Sequence, residues 1–388
     1  MKRIIRTLAI MIPMVLVASN SYAAVKAGSA CSKAGSKSVS GGKSYTCVKS
    51  GKKLVWDRGV LVPAAKPSTP PIAPTSFEDL PSRIDGIIYG AWLQANQQIQ
   101  KSSSPLGKVN ILVGPNTTAT DAVSTESLNL LSKLFSNSPQ VKNLYVIKYS
   151  KDDIAWAQQQ FELLRPNNYR ANAAANYCRQ PSGCVGGMAG INATSDGIIL
   201  LGQGGDYGYP FQQSIMDGLV LSHEYTHTIQ GINAVCRGGA GCYGDIPQWL
   251  MEGAAEWSGS VARFSGKYSD YVAFRTKDLA NKYADASTLT KDWITTFLNP
   301  NPVFLPNQDN WTYWTNYPSD NVYSIGLMAT EILVNMKGPG AIMKMYEDVG
   351  RGQTFVEAFK QQYGIAWSEA CPIIASAIAA ELSRQVKS

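Results

Sequence analysis

Both histidines of this 388-residue chain lie four positions apart, in His223-Glu224-Tyr225-Thr226-His227. With only two histidines present, there is no scattered supply from which such a spacing would arise casually. On a helix, positions i and i+4 project from one face, about one turn apart. Two imidazoles so placed can bind one zinc ion, and the glutamate beside the first can reach a water on that metal and take its proton. The flanking pattern predicts a helix over 213–230: Ile215, Leu219, Tyr225 or Thr226, and Ile229 fall near one face, and Gly231 reads as the stop.

A mononuclear catalytic zinc needs a third protein ligand and an open position for water. The candidate segment is Pro247-Gln248-Trp249-Leu250-Met251-Glu252-Gly253-Ala254-Ala255-Glu256-Trp257, with Pro247 opening a helix at its first turn. Glu252 and Glu256 are again i, i+4 and share a face. Glu252 is the expected zinc ligand. Glu256, one turn on, would accept a hydrogen bond from a ligating imidazole and fix its tautomer. A buried carboxylate pair is costly unless a cation offsets it, and zinc supplies that cation. The plainer alternative is a pair of core histidines satisfied by hydrogen bonds, with both acids solvated.

The two segments together, His-Glu-x-x-His and then Trp-Leu-x-Glu-Gly-x-Ala, resemble the gluzincin metallopeptidases, the peptidase-MA-like group that contains thermolysin and the zinc aminopeptidases. Here 24 residues separate His227 from Glu252, somewhat more than in the aminopeptidases, and the excess holds Cys236 and Cys242. A second match is Asn321-Val322-Tyr323-Ser324-Ile325-Gly326, opening a helix that runs to Met336. It is similar to the aminopeptidase Tyr-x-x-Gly, whose tyrosine donates to the oxyanion; the resemblance gives that role to Tyr323, with Tyr313 and Tyr317 as alternates. Segments 338–346, 355–359 and 363–365 resemble the helical region after the active site, so the likeness spans about 195–380. The Gly-x-Met-Glu-Asn signature that captures a free N-terminus is absent, and nothing supports exopeptidase specificity.

Residues 1–23 read as a secretory signal: Lys2, Arg3 and Arg6, then an apolar stretch too short to span a membrane, then Ser21-Tyr22-Ala23 as a cleavage site. No later apolar run approaches ~20 residues, so no other segment is expected to cross a bilayer. The seven cysteines are Cys31, Cys47, Cys178, Cys184, Cys236, Cys242 and Cys371. In an exported chain they suggest disulfides. The simplest connectivity joins Cys31–Cys47, Cys178–Cys184 and Cys236–Cys242 and leaves Cys371 single, so other pairings stay open.

The formal charge of +7 is unevenly placed. Residues 24–60 carry eight Lys/Arg against Asp57 alone, whereas 61–388 carry 24 Lys/Arg against 27 Asp/Glu. The bulk is near neutral, which argues against nucleic acid as a partner. Residues 24–60 read as a small cysteine-bridged β module with strands at 44–48 and 53–56. Such a basic module could bind an anionic cell-wall polymer, or simply keep the protein soluble. Five prolines in 61–76 predict an extended linker.

The main domain is expected from 77 to 388, a sheet half with the active-site helix over 77–230 and a helical half over 231–388. Its predicted elements are helices at 84–98, 125–135 (Ser124 as cap) and 152–164 (Ser150 as possible cap), strands at 109–113, 143–149 and 197–201, and a loop over 171–194. Strands first and helices second is an α+β layout, and the resemblance implies the zincin, thermolysin-like fold. The functional expectation is a secreted, monomeric zinc metallopeptidase acting on peptide or protein. Its zinc ligands would be His223, His227 and Glu252, with Glu224 as general base and Tyr323 as oxyanion donor. The strand at 197–201 would form the sheet edge where an extended substrate pairs. The rivals are a zinc-binding protein without turnover and a wall-adhesion protein.

Overall fold

The computed structural model describes residues 26–40, 43–61, 70–118, 121–165, 172–179, 183–205, 215–234, 246–282, 289–299 and 319–385. Residues 1–23, expected to be a signal, and Cys236, Cys242, Tyr313 and Tyr317 lie outside them. The chain forms two compact units, Met1–Thr69 and Pro70–Ser388.

In the first unit, strands β1 (Lys37–Ser40), β2 (Lys43–Ser50), β3 (Lys53–Trp56) and β4 (Val60–Leu61) pair antiparallel around β2. The Cys31–Cys47 disulfide pins the segment before β1 to the middle of β2, and Cys47 is buried. So small a unit gains little from its core, and the cross-link limits its unfolded states instead. Asp57 is turned inward, accepting from the backbone N–H groups of Thr46 and Gly59.

The second unit starts earlier than the sequence suggests. Pro74 is buried, and a Cβ on Gly86 would sit 2.0 Å from the Ile72 carbonyl oxygen. The end of the proline-rich stretch therefore packs on the start of helix α1 (Ile87–Lys101). Strands β5 (Lys108–Val113), β6 (Asn143–Tyr149), β7 (Gly186–Ile191) and β8 (Gly197–Gly202) form a sheet in the order β5-β6-β8-β7. The first three in that order are parallel, and β7 runs antiparallel to β8. Alternate residues serve two cores, as strand geometry requires. Leu144, Val146, Ile199 and Leu201 join one cluster, and Ile147, Tyr149, Ile198 and Leu200 the other. Burial on both faces explains why β8 reads as an unbroken apolar run.

Three expectations need correction here. The strand at 197–201 is not the edge: β8 lies inside the sheet and β7 flanks it. Strand β7 falls in the stretch expected to be loop, because Gly-Gly-Met-Ala-Gly lacks the β-branched residues that mark strands. Helix α2 (Asp121–Leu134) begins before Ser124, so Ser124 is not a cap; it is buried and accepts from the Lys148 ammonium.

On one face of the sheet lie α3 (Ile154–Leu164) and the short α4 (Ala173–Asn176). A 3-10 turn at Lys151–Asp153 precedes α3, and the Ser150 side chain caps neither. The Cys178–Cys184 disulfide closes the loop between α4 and β7. Helix α5 (Leu221–Asn233) packs on the other face, followed in the chain by α6 (Gln248–Arg263), α7 (Tyr268–Lys282), α8 (Lys291–Leu298), α9 (Ser319–Lys337), α10 (Pro339–Gly350), α11 (Phe355–Tyr363) and α12 (Trp367–Gln385). A mixed α+β architecture results, richer in helix than in strand. Buried Arg275 on α7 pairs with Glu331 on α9 and Glu381 on α12. Cys371 is a buried thiol on α12. No single described helix is long and apolar enough to cross a membrane. The two disulfides are compatible with an extracellular protein.

Candidate metal centre

Helix α5 carries the His-Glu-x-x-His pentamer in its first two turns. A π-helical turn, Ile215–Val220, leads into it. Gly231 does not end it: the helix continues to Asn233, and Gly231 is buried within it. The apolar side is Leu221, Tyr225 and Ile229, all fully buried in the core shared with the sheet. That anchoring directs His223 and His227 toward α6. A hydrogen bond of 2.7 Å between Thr226 and Ser258 ties the two helices along their seam.

Helix α6 starts after Pro247, which is its N-cap rather than a residue of the first turn: at φ −58° and ψ 137° its own backbone is still extended. It presents Glu252 to both imidazoles. Glu252 Oε2 lies 3.2 Å from His223 Nε2 and 3.3 Å from His227 Nε2. The two Nε2 atoms are 3.1 Å apart. These three residues form a group able to hold a metal ion. Tetrahedral bonds of about 2.0–2.1 Å would set donors about 3.3 Å apart, so the triangle has the right size. Two imidazoles and one carboxylate suit a transition metal better than magnesium or calcium.

The far sides of the rings are also engaged. Glu256 Oε2 is 3.3 Å from His223 Nδ1. Gln230 Oε1 is 2.7 Å from His227 Nδ1. With Nδ1 of each ring facing an acceptor, each Nε2 turns a lone pair toward the other and toward a carboxylate. Three acceptors meeting at about van der Waals range repel unless a cation sits among them.

In the metal-free protein that cation is a proton. Burial disfavours charge on His223. Hydrogen bonds to Glu252 and Glu256 and the charge of Glu224 outweigh it, raising its pKa to about 10. His227 is burdened by burial too but is raised by Glu252. For Glu252 burial works upward, yet the charges and hydrogen bonds of both histidines hold it well below the usual carboxylate range. The sign follows. The His223 contribution to apoprotein stability is complete below its unfolded value of 6.5 and is lost as pH climbs toward about 10. Metal uptake should therefore expel protons at neutral pH, and metal affinity should rise with pH through that window. Calorimetric titration in buffers of different ionisation heat checks this; identical heats in all buffers would contradict it.

Glu224 is 6% exposed and points toward the sheet. A Cβ on Gly187 of β7 would come within 3.0 Å of Glu224 Cγ and 3.2 Å of Oε1. Gly187 thus leaves the room that Glu224 occupies. Burial raises the Glu224 pKa, the two histidines pull it back, and Glu252 adds to the rise. The Tyr323 ring lies 5.9 Å from the His223 ring, centroid to centroid. Burial first, then the negative charges of Glu252, Glu224 and Glu256, keep its phenol protonated far above neutrality.

Two glycines make this convergence possible. A Cβ on Gly253 of α6 would lie 2.1 Å from the Gly326 carbonyl carbon of α9. One on Gly326 would lie 2.1 Å from the Trp249 carbonyl oxygen. The helices cross backbone to backbone at Gly253 and Gly326, so Glu252 and Tyr323, one and three positions earlier, face the same space. A third glycine, Gly259, brings α6 close to α5, where a Cβ would be 3.3 Å from the His223 nitrogen. The structure thus brings together every site residue expected from the sequence that lies in the described residues.

Sequence reasoning overlooked Gln230 and Gly187. Gln230 had a signal: it stands three positions past His227, on the histidine face. Gly187 had none, because its role depends on sheet packing. No protein-family model matches the chain, and no curated protein or solved structure is significantly similar to it.

Proposed function

We propose that this chain is an exported zinc metallopeptidase of the gluzincin type, with His223, His227 and Glu252 as the zinc ligands. The observation that carries the reading is the meeting of three acceptor atoms within 3.1–3.3 Å, an arrangement that needs a cation. The choice of zinc follows from the nitrogen-rich donor set and the tetrahedral edge length. Zinc bound there would supply Lewis acidity toward a water and toward the scissile carbonyl.

The chain's own groups then have separable tasks. Glu224, buried beside the ligands with its pKa raised, takes a proton from the attacking water and returns it to the leaving amine. Tyr323, held protonated, donates to the oxygen that gains charge as the carbonyl is attacked. Strand β7, an edge of the described sheet beside Glu224, is the segment along which an extended peptide would align. On this reading the peptide would pair one strand further out than β8. An intact acid at Glu224 is what separates a peptidase from a protein that merely holds zinc, since binding alone does not require a base.

The test is metal analysis of the purified protein together with digestion of a denatured protein and a peptide library, before and after chelation. Stoichiometric zinc with chelator-sensitive cleavage is expected. Zinc without any cleavage would leave only the binding reading, and absence of metal affinity would remove both. Replacing Tyr323 by phenylalanine should lower kcat by about 10²–10³-fold, the usual cost of one oxyanion donor, with zinc content unchanged. A phenylalanine variant of full activity would discard the donor role.

A further inference from the structure

We infer that Gln230 is a positioning residue of the metal centre: it locks His227 in the Nδ1–H tautomer and ties that ring to the backbone that carries Glu252. The inference rests on the metal-binding reading of His223, His227 and Glu252 and adds a residue to it. Gln230 is fully buried on α5. Its amide spans two helices, with Nε2 donating to the Met251 carbonyl at 2.9 Å and Oε1 standing 2.7 Å from His227 Nδ1.

The two ends of the amide are not interchangeable. A backbone carbonyl only accepts, so the NH₂ end must face Met251. The oxygen end then faces His227, and a hydrogen bond forms only if Nδ1 carries the proton. The Nε2 lone pair is thereby directed at Glu252 and His223. Met251 immediately precedes Glu252, so one side chain holds the second imidazole and the backbone of the third donor.

The two imidazoles are therefore supported by different chemistry. His223 has the Glu256 carboxylate behind it, which raises the basicity of the ring. His227 has a neutral amide, which orients without adding charge. Glu224, Glu252 and Glu256 already act electrostatically on this pocket. A fourth carboxylate would add to the repulsion that burial makes expensive, and an amide avoids it.

The test reads metal affinity, not turnover, so its outcome does not depend on peptidase activity. Metal-free protein, Gln230→Met and Gln230→Glu are titrated with zinc against a chromophoric chelator, with folding followed by circular dichroism. Gln230→Met should fold and bind zinc about 10–100-fold more weakly, the usual loss for a partner behind a ligand. Gln230→Glu keeps an acceptor at His227 Nδ1 but gives up the donor to Met251 and adds a carboxylate, so it should recover part of that loss. A folded Met variant with unchanged affinity would overturn the inference. So would a folded Glu variant as weak as Met, which would mean that packing matters and the tautomer does not. If Gln230→Met fails to fold, long-range proton–nitrogen spectra of the zinc-loaded unsubstituted protein decide. With two histidines in the chain the signals are assignable; a protonated Nδ1 on His227 supports the inference and a protonated Nε2 overturns it. Failure of the unsubstituted protein to bind zinc at all is a distinct result that removes the metal centre, and this inference with it.

Discussion

Replacing Glu224 by glutamine is expected to leave zinc content and thermal stability nearly unchanged while lowering kcat by about 10²–10⁴-fold, the range a general base contributes. Glutamine has nearly the same shape, so it should occupy the space beside Gly187 that glutamate occupies, where a Cβ on that glycine would be 3.2 Å from Oε1. It cannot accept a proton. The raised pKa of Glu224 comes first from burial, and an amide avoids the desolvation of a charge altogether, so the variant should be no less stable than the original. Metal stoichiometry and steady-state kinetics on one peptide measure the two halves separately. Full activity in a zinc-loaded Glu224→Gln protein would mean that another group moves the proton.

The second large effect is expected at the helix crossing. Gly253→Ala and Gly326→Ala should each destabilise the fold by about 1–3 kcal/mol or more, as overpacking does where no flexible side chain can yield. In both cases the atoms in the way are backbone: Gly326 carbon for one and Trp249 oxygen for the other, each 2.1 Å from the added methyl. The sign makes the test sharp. In an unobstructed helix the same substitution gains up to about 1 kcal/mol from propensity. Gly340 on α10, with nothing within 4 Å of a built Cβ, serves as the control and should not be destabilised. Because Glu252 and Tyr323 stand beside the crossing, zinc affinity should fall along with stability. Denaturant melts and zinc titration of the three variants check this. Gly253→Ala behaving like Gly340→Ala would show that α6 and α9 do not meet as described.

Much of the fold was legible where local pattern and burial agree. Strand β6 reads directly from its β-branched and aromatic content, and β8 from its apolar run. Helix α9 was expected from the Tyr-x-x-Gly match near its start, and it runs from Ser319 to Lys337. The failures have identifiable causes. Strand β7 was missed because its glycines serve the space next to Glu224 and carry no strand propensity. Gly231 was read as a stop because glycine commonly follows a helix, whereas here it is buried within one that runs on to Asn233. The end of the proline-rich stretch looked like a free linker because composition does not reveal that Gly86 has room for the Ile72 carbonyl. Ser124 resembled a cap by type, but the ammonium of Lys148 claims its hydroxyl.

The candidate site divides the same way. The four-residue spacing of His223 and His227, and of Glu252 and Glu256, is a local property: one helical turn aligns each pair wherever the helix goes. The sequence alone therefore determined which side chains could act together within a helix and which chemistry their types allow. It could not place Oε2 of Glu252 at 3.2 Å from His223, join Gln230 to the Met251 carbonyl, or choose β7 as the edge. Those depend on how closely separate helices and strands approach. That approach is decided by glycines buried at crossings and by the packing of the whole core, which no periodicity along the chain encodes.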